Sequence, residues 1–388
     1  MIKLENVCKT YPDGTEAVKD LSLEVADGEF CIFLGPSGCG KTTSLKMINR
    51  LIPITSGGIL IDGVDTKKLE VNELRRGIGY AIQNIGLFPH LTVAQNIATV
   101  PMLKKWPKAK QRARAEELLA LVGMDPEVFI DRYPSELSGG QQQRIGVARA
   151  LGADPPILLM DEPFGAIDPI TRSRLQDEFL KIQAKLKKTI VFVTHDIDEA
   201  IKMGDTIALM RKGALVQYAD PATLLYAPRD AFVRDFVGAD RVLKSLRLHT
   251  IGEIMHKPPV LAKAGDAPMV LKERMQKAKI RWTTLSDEND RFLGWVGVNE
   301  LKPSVSLRDT VEPAVVSAEP TTRLNEALSM MLHSAVGHLA VVDEKNTVQG
   351  ILNFNTIRDV LTQQDEAEEE GAEDSEEKPS RPEDGDQA

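Results

Sequence analysis

Cysteine is scarce: the 388 residues contain three, Cys8, Cys31 and Cys39, all before position 40. An odd set clustered at one end argues against a disulfide framework and fits a reducing compartment. Aromatic residues are also few, at 5%, and the tryptophans Trp106, Trp282 and Trp295 are widely scattered. Such scatter does not build an aromatic cage around a ligand, so they read as packing residues. No stretch reaches the ~18 uninterrupted apolar residues of a membrane-spanning helix. Any membrane role is expected to come through a partner. The opening residues, MIKLENVCKTYPDG, lack the basic stretch and apolar core of a signal peptide. A basic excess is missing too, since the formal net charge is −9. Positions 365–388 hold 12 acidic and 2 basic residues, which leaves the rest of the chain at +1. A nucleic-acid-binding body is more often strongly basic, so no nucleic-acid partner is expected.

Apolar residues, at 42%, are enough to fill sizeable cores. At ~150 residues per domain the length suggests two or three domains. The chain reads as three blocks. Residues 1–240 alternate short apolar runs with helical spacing. Phe30 to Leu34, Ile157 to Met160 and Ile190 to Val193 are continuous apolar runs, as in strands buried on both faces of a parallel sheet. Thr43 to Leu51 has helical spacing, with Leu45, Ile48 and Leu51 on one side. Lys104 to Val122 is charged and helix-prone, as an inserted helix would be. Alternating β and α elements argue for an α/β core.

Residues from about 246 to 362 repeat internally at an offset of 56. Val260 pairs with Val316, Met275 with Met331, Asp287-Glu288 with Asp343-Glu344, and Gly294 with Gly350. One copy is too small for a good core, so the two are expected to pack together. The expected boundaries are 246–303 and 304–364. Residues 365–388, rich in Glu, Asp, Pro and Ser without aromatics, are expected to be disordered.

The strongest chemical signal is Gly35-Pro36-Ser37-Gly38-Cys39-Gly40-Lys41-Thr42, a match to G-x-x-x-x-G-K-[ST] between a strand and a helix. A polyphosphate needs many N–H donors at close range. Glycines let the backbone wrap tightly, and a helix start adds positive partial charge. Lys41 is placed to bridge the β- and γ-phosphates and the Thr42 hydroxyl to ligate Mg²⁺, with Thr43 beside it. Cys39 reads as a small loop filler. A second apolar strand ends in two carboxylates, Asp161 and Glu162. Asp161 can hold Mg²⁺ through water, and Glu162 can act as general base on an attacking water.

Leu137-Ser138-Gly139-Gly140-Gln141 lies 97 residues after Lys41, counted to Ser138. P-loop, this segment and the acidic strand end occur in the order seen in ABC-type ATPases, and the chain resembles that family. The resemblance implies a RecA-like core with an antiparallel β subdomain and a helical subdomain. It also implies ATP and Mg²⁺ as cofactors, and two copies paired head to tail. Ser138, Gly139, Gly140 and Gln141 of one copy then cap the γ-phosphate held by the other. Further positions map singly: Tyr11 to the aromatic that stacks on adenine, and Gln83 to the glutamine that touches Mg²⁺ and senses the membrane partner. His195 maps to the histidine at the γ-phosphate, and Asp168 to the loop aspartate that links the two sites. Gly165 stands where many members have serine.

Glu73 to Val100 and Phe232 to Arg241 are similar to ATPases of osmoprotectant importers, which carry glycine betaine, choline, carnitine or proline betaine. In that likeness Ile85 to Val93 forms the groove for a permease helix, with Phe88 and Leu91 as exposed anchors. The 56-residue repeat resembles a tandem CBS pair, an α+β module of the same importers. CBS pairs often bind adenine nucleotides through G-h-h-[ST]-x-x-D. The copies here, Gly294 to Glu300 and Gly350 to Thr356, both lack the hydroxyl. A cyclic dinucleotide, an anionic lipid surface over the basic stretch Lys257 to Arg281, and sensing of ionic strength all stay open. The resemblance places the chain at the cytoplasmic face of the cell membrane, with permease subunits and an extracytoplasmic solute-binding protein or domain as partners. A different cargo, or a soluble ATPase acting on nucleic acid or ribosomes, are the alternatives.

Overall fold

The computed structural model describes residues 1–82, 86–165, 167–313, 316–333 and 337–361. They fall into two compact units. The first is Met1–Leu224 with Pro228–Val237, and the second is Leu225–Ala227 with the residues from Gly238 onward.

The strands of the first unit are β1 (Ile2–Thr10), β2 (Glu16–Val25), β3 (Phe30–Leu34), β4 (Ser56–Ile61), β5 (Val64–Asp65), β6 (Ile78–Ala81), β7 (Ile157–Asp161), β8 (Thr189–Val193), β9 (Thr206–Arg211) and β10 (Ala214–Ala219). They form two sheets. One is antiparallel, in the order β2-β1-β4-β5. The other runs β10-β9-β3-β8-β7-β6, parallel except for β10. Every residue of β3, β7 and β8 is buried, as their unbroken apolar runs predict. Ile2, Leu4, Leu21, Phe33, Leu45 and Leu159 belong to one core cluster, so the antiparallel sheet and the larger sheet share apolar packing.

Five helices of this unit bear on the site. They are α1 (Lys41–Ile48), α2 (Lys108–Leu121), α3 (Gly139–Leu151), α4 (Pro169–Leu186) and α5 (Ile197–Met203). The sequence placed Leu51 on the buried face of α1. Instead the helix stops at Ile48, Arg50 takes a left-handed φ of 49°, and Leu51 is exposed. The chain turns before the next apolar position comes round. The charged segment from Lys104 does become helical, but α2 starts at Lys108, after Pro107, a residue suited to a helix entrance.

In the second unit the repeat is visible as two small sheets. One orders β11 (Ala262–Lys263), β12 (Trp282–Ser286), β13 (Phe292–Gly297) and β14 (Glu312–Pro313); the other orders β15 (Ser317–Ala318), β16 (His338–Val342) and β17 (Val348–Asn353). The recurring Asp has a structural task. The Asp287 carboxylate accepts from the backbone N–H of Asn289 and Arg291, and Asp343 accepts from Lys345 and Thr347, which closes equivalent hairpins. The sheets meet through Phe292, Trp295, Ala340, Val342 and Ile351. Trp295 is buried there and Trp282 packs against the same cluster, as expected of packing residues.

The leading helices of the two expected copies, 246–303 and 304–364, are exchanged between their cores. Helix α6 (Ile251–Ile254) packs into the core of the second copy with Leu324, Met331 and Leu352. Helices α7 (Pro268–Lys277) and α8 (Leu307–Thr310) lie in the core of the first, where Leu307 joins Leu271, Met275 and Val296. The strand β14 also pairs with β13 of the first copy. Each copy thus takes its leading helix from the other, because a short helix can bury its apolar side only on a finished sheet. The second copy's own helix, α9 (Leu324–Leu332), completes its core. The acidic segment 365–388 lies outside the described residues.

Candidate active site

Sheet order gathers the site. Strands β3, β8 and β7 are neighbours and parallel. Their carboxyl ends therefore lie side by side, which is where open α/β sheets bind ligands. The loop after β3 carries Gly35 to Gly40, the end of β7 carries Asp161 and Glu162, and the turn after β8 carries Thr194 and His195. Residues far apart in sequence are brought together by strand pairing.

The loop needs its glycines at two points. A Cβ on Gly35 would lie 2.2 Å from the Met210 carbonyl oxygen, and one on Gly40 would lie 2.4 Å from that of Ala17. Gly40 is the N-cap of α1 and offers no side chain, so the first N–H groups of the helix are not taken by a side-chain cap. Cys39 is buried, and burial raises its thiol pKa, as suits a filler rather than a nucleophile. The Lys41 ammonium is turned onto the loop itself, donating to the Gly35 carbonyl at 2.5 Å and to the Pro36 carbonyl at 3.0 Å.

Thr42 Oγ1 donates to Asp161 Oδ1 at 2.8 Å. Burial pushes the Asp161 carboxyl pKa up; Thr42, Lys46 and Lys41 oppose the shift and Glu162 adds to it. A buried carboxylate beside a hydroxyl is an all-oxygen donor set, which fits a hard divalent cation such as Mg²⁺. Gln83 lies outside the described residues.

Glu162 has a left-handed backbone, φ 47°, uncommon for a side chain of its size. Its N–H donates to the Val193 carbonyl at 3.0 Å, and its Oε1 lies 3.0 Å from His195 Nδ1. Phe164 anchors this turn, with ring centroids 5.8 Å from Phe192 and 6.3 Å from Phe179. Each such pair contributes ~0.5–1.5 kcal/mol beyond burial. Sequence reasoning missed Phe164; an aromatic two residues after the acidic strand end is the signal that would have found it. Gly165 follows, with its N–H bonded to the Glu162 carbonyl.

The remaining candidates stand apart from this cluster. Tyr11 is partly exposed in the β1–β2 turn, with Lys9 Nζ 5.1 Å from its ring centre. Ser138 is the N-cap of α3: its hydroxyl accepts from the Gln141 N–H at 3.3 Å, while the Gln141 side chain accepts from the Ser138 N–H at 2.9 Å. Ser138 and Gly139 are exposed, Gly140 and Gln141 half-buried. Asp168 is the N-cap of α4, accepting from the Thr171 N–H, and that bond lowers its pKa. Phe88 is exposed as expected; Leu91 is half-buried because its N–H closes a turn back to the Phe88 carbonyl. A groove beside it is lined by Tyr80, Ile82, Phe88, Val100 and Arg149.

Residues 18–165 match the model of the family described as ABC transporter, and residues 307–363 match the CBS domain. The chain is 46% identical to the Glycine betaine/carnitine/choline transport ATP-binding protein OpuCA of Bacillus subtilis, over 93% of this chain and 96% of that protein. It is equally similar, with the same shares covered, to the Osmoprotectant import ATP-binding protein OsmV of Salmonella typhimurium. Among solved structures, the dimeric post-hydrolysis ATP-binding cassette MJ0796 bound to ADP and Pi aligns with a TM-score of 0.54 and 37% identity. That alignment covers 57% of this chain and 99% of the cassette. The chain covers nearly all of OpuCA and OsmV at 46% identity, and it belongs to the ABC transporter family of ATP-binding proteins that includes them.

Proposed function

We propose that the chain hydrolyses ATP to drive import of a quaternary-amine osmoprotectant, of the glycine betaine, choline or carnitine class, through a separate permease. The observation that carries this reading is the convergence of Thr42, Asp161, Glu162 and His195 on one sheet edge, in a chain so similar to osmoprotectant ATP-binding proteins.

Backbone N–H groups of Gly38 to Thr43 hold the phosphates, with Ser37 and Cys39 shaping the loop. Lys41 leaves its loop carbonyls for the β- and γ-phosphates. Thr42, Asp161 and Gln83 hold Mg²⁺, which when bound neutralises charge on the phosphate oxygens. Glu162 takes the proton of the attacking water, and His195, in contact with Glu162, orients that water. Tyr11 stacks on the adenine. Ser138, Gly139, Gly140 and Gln141 complete the site of a second copy, with Asp168 at the pairing face. Hydrolysis then depends on closure of two copies.

The groove at Phe88 receives the permease, at the cytoplasmic face of the membrane, and an extracytoplasmic binding protein or domain selects the solute. Among the described residues no helix is long and apolar enough to cross a membrane, which supports a separate channel. The repeat unit regulates through ionic strength or a nucleotide. Its basic stretch is partly spent within the fold, since Lys263 pairs with Asp290 and Arg274 with Asp266. The test is to purify the complex from membranes and screen solutes for ATPase stimulation. Glycine betaine, choline or carnitine is expected to raise turnover several-fold. Stimulation by an unrelated solute alone would change the cargo, and co-purification with ribosomes would end the importer reading.

A further inference from the structure

One buried carboxylate of the first unit has no part in the chemistry above. Glu199, on the first turn of α5, is 8% exposed. Its Oε2 accepts from Thr194 Oγ1 at 2.7 Å and its Oε1 from Gln176 Nε2 at 3.0 Å. Thr194 is 2% exposed, and its hydroxyl is used in both directions: it donates to Glu199 and accepts from the Asp196 N–H at 3.0 Å. Asp196 in turn caps α5, accepting from the N–H groups of Asp198 and Glu199. The residues on either side of His195 are therefore held by one hydroxyl, and that hydroxyl is held by Glu199.

His195 needs such support. Its side chain is 62% exposed, so packing does little to fix it. Gln176, the other partner of Glu199, lies on α4, the helix that Asp168 caps. On the same helix Arg172 donates to the Ile167 carbonyl at 2.9 Å, beside Asp168. The carboxylate thus ties the His195 turn to the helix that begins at the proposed pairing face. Burial raises the Glu199 pKa and Asp196 adds to that, while Thr194, Arg172 and Gln176 favour the charged form.

We propose that Glu199 is a positioning residue for hydrolysis: through the Thr194 hydroxyl it fixes the backbone around His195 and holds the imidazole against Glu162. The proposal rests on the reading of Glu162 and His195 as the hydrolytic pair. Glutamine can replace Glu199, because its carbonyl accepts from Thr194 and its amide can face a rotated Gln176. Alanine leaves both partners without an acceptor.

The test is steady-state hydrolysis of Mg²⁺-ATP by the full-length chain, with His195→Ala as reference and thermal melts to check the fold. Glu199→Ala and Thr194→Val are expected to lower kcat by about tenfold or more, the scale on which a misplaced catalytic group loses rate, with KM for ATP within about twofold. Glu199→Gln and Thr194→Ser should keep kcat within about threefold of the wild type. If Glu199→Ala does not fold, Thr194→Val, nearly equal in volume, decides. A kcat loss under about fivefold in Thr194→Val, a KM that rises in step with the loss, or an equal loss in Thr194→Ser each overturns the proposal. Activity lost in His195→Ala but kept in the Glu199 and Thr194 variants overturns it alone. A fully active His195→Ala removes the reading beneath it as well.

Discussion

The two units solve the problem of burying short elements in opposite ways. In the nucleotide-binding unit each motif is a local sentence of strand, turn and helix, and the sheet then sets the sentences side by side. Gly35 to Thr42 follows β3, Asp161 ends β7, and His195 follows β8. In the repeat unit the neighbours in sequence are not the neighbours in space, since α6 serves the second copy and α8 the first. The difference teaches where sequence order can be trusted. A site that grips phosphate with backbone N–H groups must be contiguous. A core needs only apolar volume, and either copy can supply it.

The comparison breaks most sharply at Glu162. Glu162→Gln keeps the shape and a partner for His195 but cannot take a proton, so hydrolysis should fall by at least ~100-fold. ATP binding should stay near the wild-type value; phosphate release and a nucleotide-binding assay read the two. Rapid turnover would show that the local motif does not carry the chemistry.

Leu307→Ala tests the exchange of helices. It should cost about 2–5 kcal/mol, the range for emptying a buried leucine site. Hydrogen exchange should quicken across residues 262–297, the first copy, and not across 317–353. The mirror variant, Ile251→Ala, should act on the second copy. A reversed pattern would show that each copy keeps its own leading helix.

Asp161 separates function from stability. Burial holds its carboxyl pKa above the ordinary 3.8. The unfolded chain therefore releases this proton first. The carboxyl's favourable contribution is present below the unfolded pKa and is lost as pH rises through the raised folded value. At neutral pH, Asp161→Asn should raise the melting temperature of the nucleotide-free chain by a few degrees, at ~2–4 °C per kcal/mol for a domain of this size. Added Mg²⁺ and ATP should then give the variant less stabilisation than the wild type. A lower melting temperature without ligand would refute the sign.

The smallest expected effect is at Ser138. Loss of its cap in Ser138→Ala should cost about 1 kcal/mol in a denaturant melt of the isolated chain. If the proposed pairing of two copies holds, turnover should fall much further than that loss explains. A proportionate fall would leave Ser138 a helix cap and nothing more.

Much of the site was legible because its motifs are short and their chemistry demands particular residues. Lys41, Thr42, Asp161 and Glu162 are found by pattern, and the buried runs of β3, β7 and β8 by their unbroken apolar character. Leu51 misled because spacing alone cannot see where a left-handed residue ends a helix. Leu91 misled because a turn hydrogen bond tucked it inward. Thr194 and Glu199 carried no signature: an ordinary threonine and glutamate gain their tasks only from what packs against them.

By itself the sequence determined the glycine-rich loop, the acidic strand end, the Ser138 turn and the existence of two related copies, because each is written in consecutive residues or in a fixed offset. Only the tertiary structure decided that His195 faces Glu162, that Glu199 stands behind Thr194, and which copy receives which helix. Those depend on strand order and on where apolar area finds cover, and both are properties of the folded chain as a whole.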